Sequence, residues 1–244
     1  MAMISEHTFV RLLDADPALA GGLSDDALEL ARAVVLASVE PIDEGMWRPA
    51  LPDRPEQHLG FLVLEGVLFR SVLFAGRESA ELLGPGDLLR PWQQLRSASD
   101  LGLPVTWTVV EAGAIAVLDE RITATVGRWP EVVTAIVSRA LERSRAMGVT
   151  LGIAQMTGVE LRLLAVLWHL AERFGHREGD RWVLPVRLTH QTLAALVRTH
   201  RTTATGALTR LADQGLATRC DDGAWALRGE PPERLTALRR ALGG

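Results

Sequence analysis

THQTLAALVRTHRTTATGALTRLADQGL, running from Thr189 to Leu216, is the stretch that decides the reading of the chain. Leu193, Leu196 and Val197 give its first segment one apolar face at helical spacing, with small Ala194 where a crossing helix needs close approach. Arg198-Thr199-His200 breaks the period. A second stripe comes next at Ala204, Ala207, Leu208 and Leu211, in steps of three, one and three. Two short helices that each bury one face against the other across a three-residue break predict a helix-turn-helix. The face left over on the second helix is polar and short: Arg201, Thr202, Thr205, Gly206 and Thr209. Such side chains suit base edges in a major groove, and the planar fork of Arg201 suits two bonds to guanine. The threonines suit phosphates or thymine methyl groups, and the helix N-terminus adds anion affinity. Thr189, Gln191, Thr199 and His200 flank this face and complete it. An ordinary helical hairpin with a solvated face is the plainer alternative. It does not account for the segment after the motif, where Leu216–Thr218 and Ala224–Leu227 flank Cys220-Asp221-Asp222-Gly223. That pattern predicts a β-hairpin wing, with Arg219 beside the nucleic-acid backbone.

Outward from the motif, Val159 to Phe174 reads as a helix, residues 175–180 as a break, Trp182–Leu188 as a strand and Pro231 to Leu242 as a terminal helix. Arg239 and Arg240 fall in the last turn of that helix, where cations suit the dipole. Upstream, Pro130 suits a first helical turn. Val133, Val137, Ala140, Ser144, Met147, Leu151 and Ala154 then lie on one narrow stripe in steps of four and three. A helix of that length is about 38 Å long at 1.5 Å per residue. Its narrow seam and its polar flanks (Arg139, Glu142, Arg143, Arg145) predict a homodimer through residues 130–155 rather than a helix packed only on its own domain.

The front of the chain has a different texture. After two short helical patterns, Glu6 to Leu13 and Asp25 to Ala33, come short apolar runs: Val34–Val39, His58–Leu64, Val67–Phe74, Glu78–Leu83, Val105–Val110 and Ala114–Leu118. Glu65-Gly66, Ala75-Gly76, Gly84-Pro85-Gly86-Asp87 and Ala112-Gly113 separate them and read as turns. Strands so punctuated predict an antiparallel roll or sandwich. The fold class is therefore α+β, with a β-roll over 1–128, a dimerisation helix and hinge over 129–157, and a winged helix-turn-helix over 158–244.

Composition bounds the function. The net charge of −4 divides into −9 over Met1–Arg128 (10 Arg, 19 acids) and +5 over Trp129–Gly244 (16 Arg, 11 acids), so the rear half is the part suited to a polyanion. Lys, Asn and Tyr are absent and all 26 basic residues are Arg. Their codons are A/T-rich, which points to a high-GC bacterial genome and discounts the Arg excess as a phosphate-binding signal. The single cysteine, Cys220, excludes an intrachain disulfide and a cysteine-built zinc or iron–sulfur site. No apolar run approaches the roughly 18 residues of a membrane span, and Met1 to Ala20 lacks a signal-peptide pattern, so a soluble cytoplasmic protein without a membrane partner is expected.

The roll, the Gly-x-Gly-Asp turn at Gly84–Asp87, the long helix, the hinge at Met156-Thr157-Gly158 and the winged motif together resemble the CRP/FNR superfamily of bacterial transcription regulators. The resemblance covers about Val34 to Leu227. It implies a jelly-roll sensor resembling cyclic-nucleotide-binding domains, a coiled-coil dimer, palindromic DNA sites and, as further candidate partners, RNA polymerase and a small-molecule effector. Departures narrow it. Arg90-Pro91 stand where cyclic-nucleotide binders carry Gly-Glu, and Pro104 stands where they carry the Arg that grips the cyclic phosphate. Without that charge-assisted cradle cyclic AMP is not expected. Arg198 replaces the usual glycine of the inter-helix turn, and Thr202 and Gly206 replace the Glu and second Arg of the familiar reading helix.

The expected function is that of a homodimeric, sequence-specific regulator binding double-stranded DNA, modulated by an effector other than cyclic AMP. Candidate effector contacts are Arg90, Arg96 and Ser144. Constitutive binding is the alternative. A cupin-like enzyme would need clustered ligands, yet only His58 of the six histidines falls in the roll. No catalytic residues, metal or cofactor are expected. A dimeric protein-binding scaffold would explain the seam but not the polar face led by Arg201.

Overall fold

The computed structural model describes residues 8–74, 77–92 and 104–242. The front half builds a seven-stranded antiparallel sheet from β1 (Thr8–Arg11), β2 (Leu36–Ile42), β3 (Gly45–Met46), β4 (Gly60–Phe74), β5 (Arg77–Leu83), β6 (Leu88–Leu89) and β7 (Val105–Leu118). The order is β1-β2-β7-β4-β5, with β3 on β7 and β6 on β4. Helices α1 (Leu12–Ala15), α2 (Asp25–Val34) and α3 (Glu120–Val126) are interspersed, and α4 (Pro130–Ala154) comes after them. The rear half comprises α5 (Val159–Phe174), β8 (His176–Glu178), β9 (Arg181–Leu184), α6 (His190–Leu196), α7 (Arg201–Asp213), β10 (Ala217–Arg219), β11 (Trp225–Arg228) and α8 (Glu233–Ala241). The architecture is α+β, as expected.

Two breaks read as turns are not turns. β4 runs straight through Glu65-Gly66, and β7 straight through Ala112-Gly113. The glycines serve close approach instead. A Cβ on Gly113 would lie 2.1 Å from the Glu65 carbonyl oxygen, and one on Gly66 would lie 2.7 Å from that of Glu111. Two long neighbouring strands touch backbone to backbone here, which no other residue permits. The expected helix over Glu6–Leu13 is likewise corrected: Thr8–Arg11 pairs as a strand with Leu36–Val39, and only Leu12–Ala15 turns helical. Ladder bonds with β2 override the local helical period. The strand expected over Trp182–Leu188 stops at Leu184, and the break expected over 175–180 contains β8.

The chain divides into two compact units. The first takes Met1–Leu68, Leu83–Leu103 and Trp107–Arg143; the second takes Phe69–Leu82, Pro104–Thr106 and Ser144–Gly244. In the first, Leu12, Leu13, Leu19, Leu62, Leu118 and Val132 lie in one buried cluster. The Gly84–Asp87 turn is closed by the Asp87 carboxylate, which accepts from the Gly84 amide at 2.9 Å. In the second, Leu163, Leu167 and Trp168 of α5 are buried, as are Leu235 of α8 and Trp225 of β11. The four-stranded sheet of this unit has the order β10-β11-β9-β8.

Helix α4 has two faces. Val132, Ile136, Val149 and Ile153 are buried, whereas Val137, Leu141, Met147 and Leu151 are 38–55% exposed. Ala140 and Ser144 are exposed beside them. Val133, expected on the open stripe, packs against the first unit's core instead.

His169 of α5 is buried, and burial first, then the charges of Arg173 and Arg239, lowers its pKa from 6.5 to about 3. The ring stays neutral in the folded protein while the unfolded chain takes up a proton below pH 6.5. Its stabilisation is thus complete above pH 6.5 and is lost as pH falls through the window from 6.5 towards 3. At pH 4 the expected loss is about 3 kcal/mol. Denaturant unfolding of the His169→Gln variant should lose much of this slope between pH 6.5 and 4; an unchanged slope would refute the assignment.

Candidate nucleic-acid interface

Each helix of the motif is started by its own sequence. Thr189 caps α6, its Oγ1 accepting from the Thr192 amide at 3.1 Å. His200 takes the extended backbone of an N-cap ahead of α7 without a side-chain cap bond. Leu193, Leu196 and Val197 on one side, and Ala204, Ala207, Leu208 and Leu211 on the other, are all at most 3% exposed. Ala194 is buried too, so the two apolar stripes read from spacing are the faces that pack. Thr189, Gln191, His200, Arg201, Thr202, Thr205 and Thr209 are exposed, and Thr199 and Gly206 are half-buried.

The turn between the helices shows in its backbone what the missing glycine costs. Arg198, at φ 54°, is the one non-glycine residue with positive φ among the described residues. A left-handed L-residue costs roughly 1–2 kcal/mol, so the turn keeps a glycine-like conformation without a glycine. The Thr199 amide donates to the Ala194 carbonyl at 2.9 Å and holds the chain there.

His190 is a member of this surface that spacing alone does not single out. Its Nδ1 lies 3.0 Å from Thr205 Oγ1, bridging α6 to the exposed face of α7. Burial lowers its pKa first, and Arg219 and Arg201 lower it further. The two arginines expected to meet DNA, one on the reading helix and one on the wing, therefore bring their positive charge to the same imidazole. It opens α6, and no period in the sequence marks it as a partner of α7. Thr209 spends its hydroxyl on the Thr205 carbonyl at 3.1 Å, and Thr203 is exposed beside the expected residues. Farther along α7, Arg210 is ion-paired with Glu160 of α5.

The wing is the β10–β11 hairpin, in register Ala217↔Leu227 and Arg219↔Trp225. The Asp222 carboxylate accepts from the Ala224 amide at 3.0 Å in its turn. Trp225 is buried, and its indole N–H donates to the Leu188 carbonyl at 3.1 Å, which ties the wing to the segment entering α6. Arg219 is exposed at the end of β10.

Of the candidate effector contacts, Arg90 donates to the carbonyls of Pro55 (3.1 Å) and His58 (3.0 Å), with its guanidinium over the Trp92 ring. Burial lowers its pKa. Ser144 is exposed on α4, and Arg96 lies outside the described residues. The roll residues Trp47, Phe61, Trp92 and Trp107 make a run of edge-to-face contacts with centroids 5.4–6.0 Å apart. Among the described residues no group of three His, Cys, Asp or Glu is placed to hold a metal, and no helix is long and apolar enough to cross a membrane.

Residues 161–236 match the model of the Crp-like helix-turn-helix domain. This defines the class: residues 161–236 form a Crp-like helix-turn-helix domain. Solved structures extend the likeness over most of the chain. A cyclic nucleotide-binding domain containing protein from Listeria monocytogenes EGD-e is similar at TM-score 0.61 and 16% identity, covering 89% of this chain and 97% of the other. FixK2 from Bradyrhizobium japonicum is similar at TM-score 0.60 and 13% identity, covering 83% and 96%. A CRP-family transcriptional regulator from Thermus thermophilus is similar at TM-score 0.56 and 17% identity, covering 84% and 97%. No curated protein matches the chain. The chain thus carries a Crp-like helix-turn-helix domain within the fold of CRP/FNR-family transcription regulators.

Proposed function

We propose that this protein is a cytoplasmic, sequence-specific transcription regulator that binds palindromic double-stranded DNA as a homodimer and is not an enzyme. The observation that carries the reading is the exposed first turn of α7. Arg201, Thr202 and Thr205 stand out while the opposite face is buried, and Arg219 on the wing shares their neighbourhood around His190. Arg201 reads a guanine, the threonines and Thr189, Gln191, Thr199 and His200 meet phosphates or base edges, and Arg219 meets the backbone. Because Thr202 and Gly206 lack the donors and acceptors of Glu and Arg, the operator differs from the best-known family sites.

The second copy is supported by the exposed face of α4. Val137, Leu141, Met147 and Leu151 form an apolar line over four turns, and Ala140 and Ser144 keep it narrow enough for a close helix pair. In this division of labour residues 1–128 sense, 129–157 dimerise and 158–244 read. RNA polymerase is a further partner of the DNA-bound dimer.

The effector is a small molecule other than cyclic AMP. Arg90 is already committed to two backbone carbonyls, and Pro104 offers no cation at the phosphate position. Binding without an effector is the second reading, favoured by the aromatic side chains packed into the roll.

Binding to random duplex DNA should weaken steeply with salt, as release of counterions requires; a flat response would sink the DNA reading. On a site selected from random pools, Arg201→Ala should cost about 1–3 kcal/mol and relax one base position. An equal loss on every sequence would make Arg201 a phosphate contact instead. In sedimentation, Leu141→Arg should turn a dimer into a monomer with its helical content kept. Thermal-shift series should show no effect of cyclic AMP, and a shift from some other metabolite; silence across all of them favours constitutive binding.

A further inference from the structure

The end of β4 from Phe69 and its neighbour β5 up to Leu82 belong to the same compact unit as the helix-turn-helix. Between the two strands Arg70 pairs with Glu81 at 3.0 Å, with side chains only 15% and 9% exposed. Ser71 Oγ meets Thr106 Oγ1 at 2.7 Å. Two arginines of the rear half reach β5. Arg173, at the end of α5, donates to the Leu82 carbonyl at 3.4 Å, and Arg198 donates to Ser79 Oγ at 3.0 Å. Arg198 is also the left-handed residue of the recognition turn. One residue thus holds a strained backbone inside the DNA-reading motif and a side-chain bond to a strand 119 positions earlier. A glycine there would adopt the backbone without strain but would have no reach. The arginine gives up conformational ease for a tether.

We infer that Arg198 is a positioning residue: its bond to Ser79 anchors the turn that sets the start of α7, and operator affinity depends on that anchor. The inference rests on the DNA-binding reading. The mechanism is geometric. Arg201 begins α7 three residues after Arg198, and the Thr199 amide bond to Ala194 leaves little slack between them. A turn fixed to β5 presents Arg201 and Thr202 at one angle. A turn freed from it samples several, and ordering it on DNA then weakens binding.

The test is a double-mutant cycle in the full chain, on a DNA site selected with the unaltered protein. Ser79→Ala should weaken binding about three- to ten-fold, as expected for loss of one solvent-exposed hydrogen bond. Ser79→Thr, which keeps the hydroxyl, should restore it to within about two-fold. Arg198→Gly should weaken binding as much as Ser79→Ala while leaving the thermal midpoint equal or raised, because it relieves the left-handed strain. The double variant should bind no worse than either single one. Full affinity in Ser79→Ala, or additive losses in the double variant, would overturn the tether. Amide exchange at Thr199, read without DNA, separates this from failure of the DNA reading: Ser79→Ala should speed it, and unchanged exchange overturns the tether whatever the protein binds.

Discussion

The stripe Ala204, Ala207, Leu208 and Leu211 is buried and unavailable to solvent, and Leu193, Leu196 and Val197 are buried with it. Everything DNA would meet hangs on that contact. Each fully buried Leu contributes roughly 1.5–3 kcal/mol, whereas an exposed Thr contributes almost nothing to stability. The motif is therefore fixed by its buried face, which leaves the exposed face free to vary. Alanines at 194, 204 and 207 let the helices come close, and the left-handed Arg198 turn brings one back across the other. Once the apolar stripes are buried, Arg201, Thr202 and Thr205 have to stand out.

A second constraint works by removal of side chains. Gly66 and Gly113 let β4 and β7 touch through their backbones, so two strands of 15 and 14 residues run unbroken through places where the composition suggests turns. β4 is long enough to start in one compact unit and finish in the other. Its neighbour β5 is what Arg173 and Arg198 hold. Shorter strands ending at Glu65 would leave no such strand pair for the rear half to grip.

The electrostatics are arranged along the same lines. The net positive charge lies in the rear half, but the structure assigns its arginines different tasks. Arg210 is spent on Glu160 and Arg239 on Glu172, whereas Arg198 and Arg173 serve β5. Arg201 and Arg219 are exposed and act on His190 together. In the roll, Arg90 is occupied by carbonyls. A count of arginines says how much charge a half carries, not how much of it faces outward.

What the sequence determined by itself is whatever depends on period and sign. The apolar steps of the helix-turn-helix, the open stripe of α4 and the net charge of each half are local properties, written in spacing that a helix converts directly into faces. What only the tertiary structure decided is who meets whom. Thr8–Arg11 became a strand because β2 offers it a ladder, and Val133 left the open seam because the roll's core reaches it. Gly66 and Gly113 became a contact rather than two turns because they lie opposite one another. His190 met Thr205 across the motif by packing rather than by period, and Arg198 met Ser79 across a distance in sequence that no window spans. Such partnerships are set by packing of the whole chain, since a side chain's reach is a few ångströms in space and has no fixed counterpart in residue number.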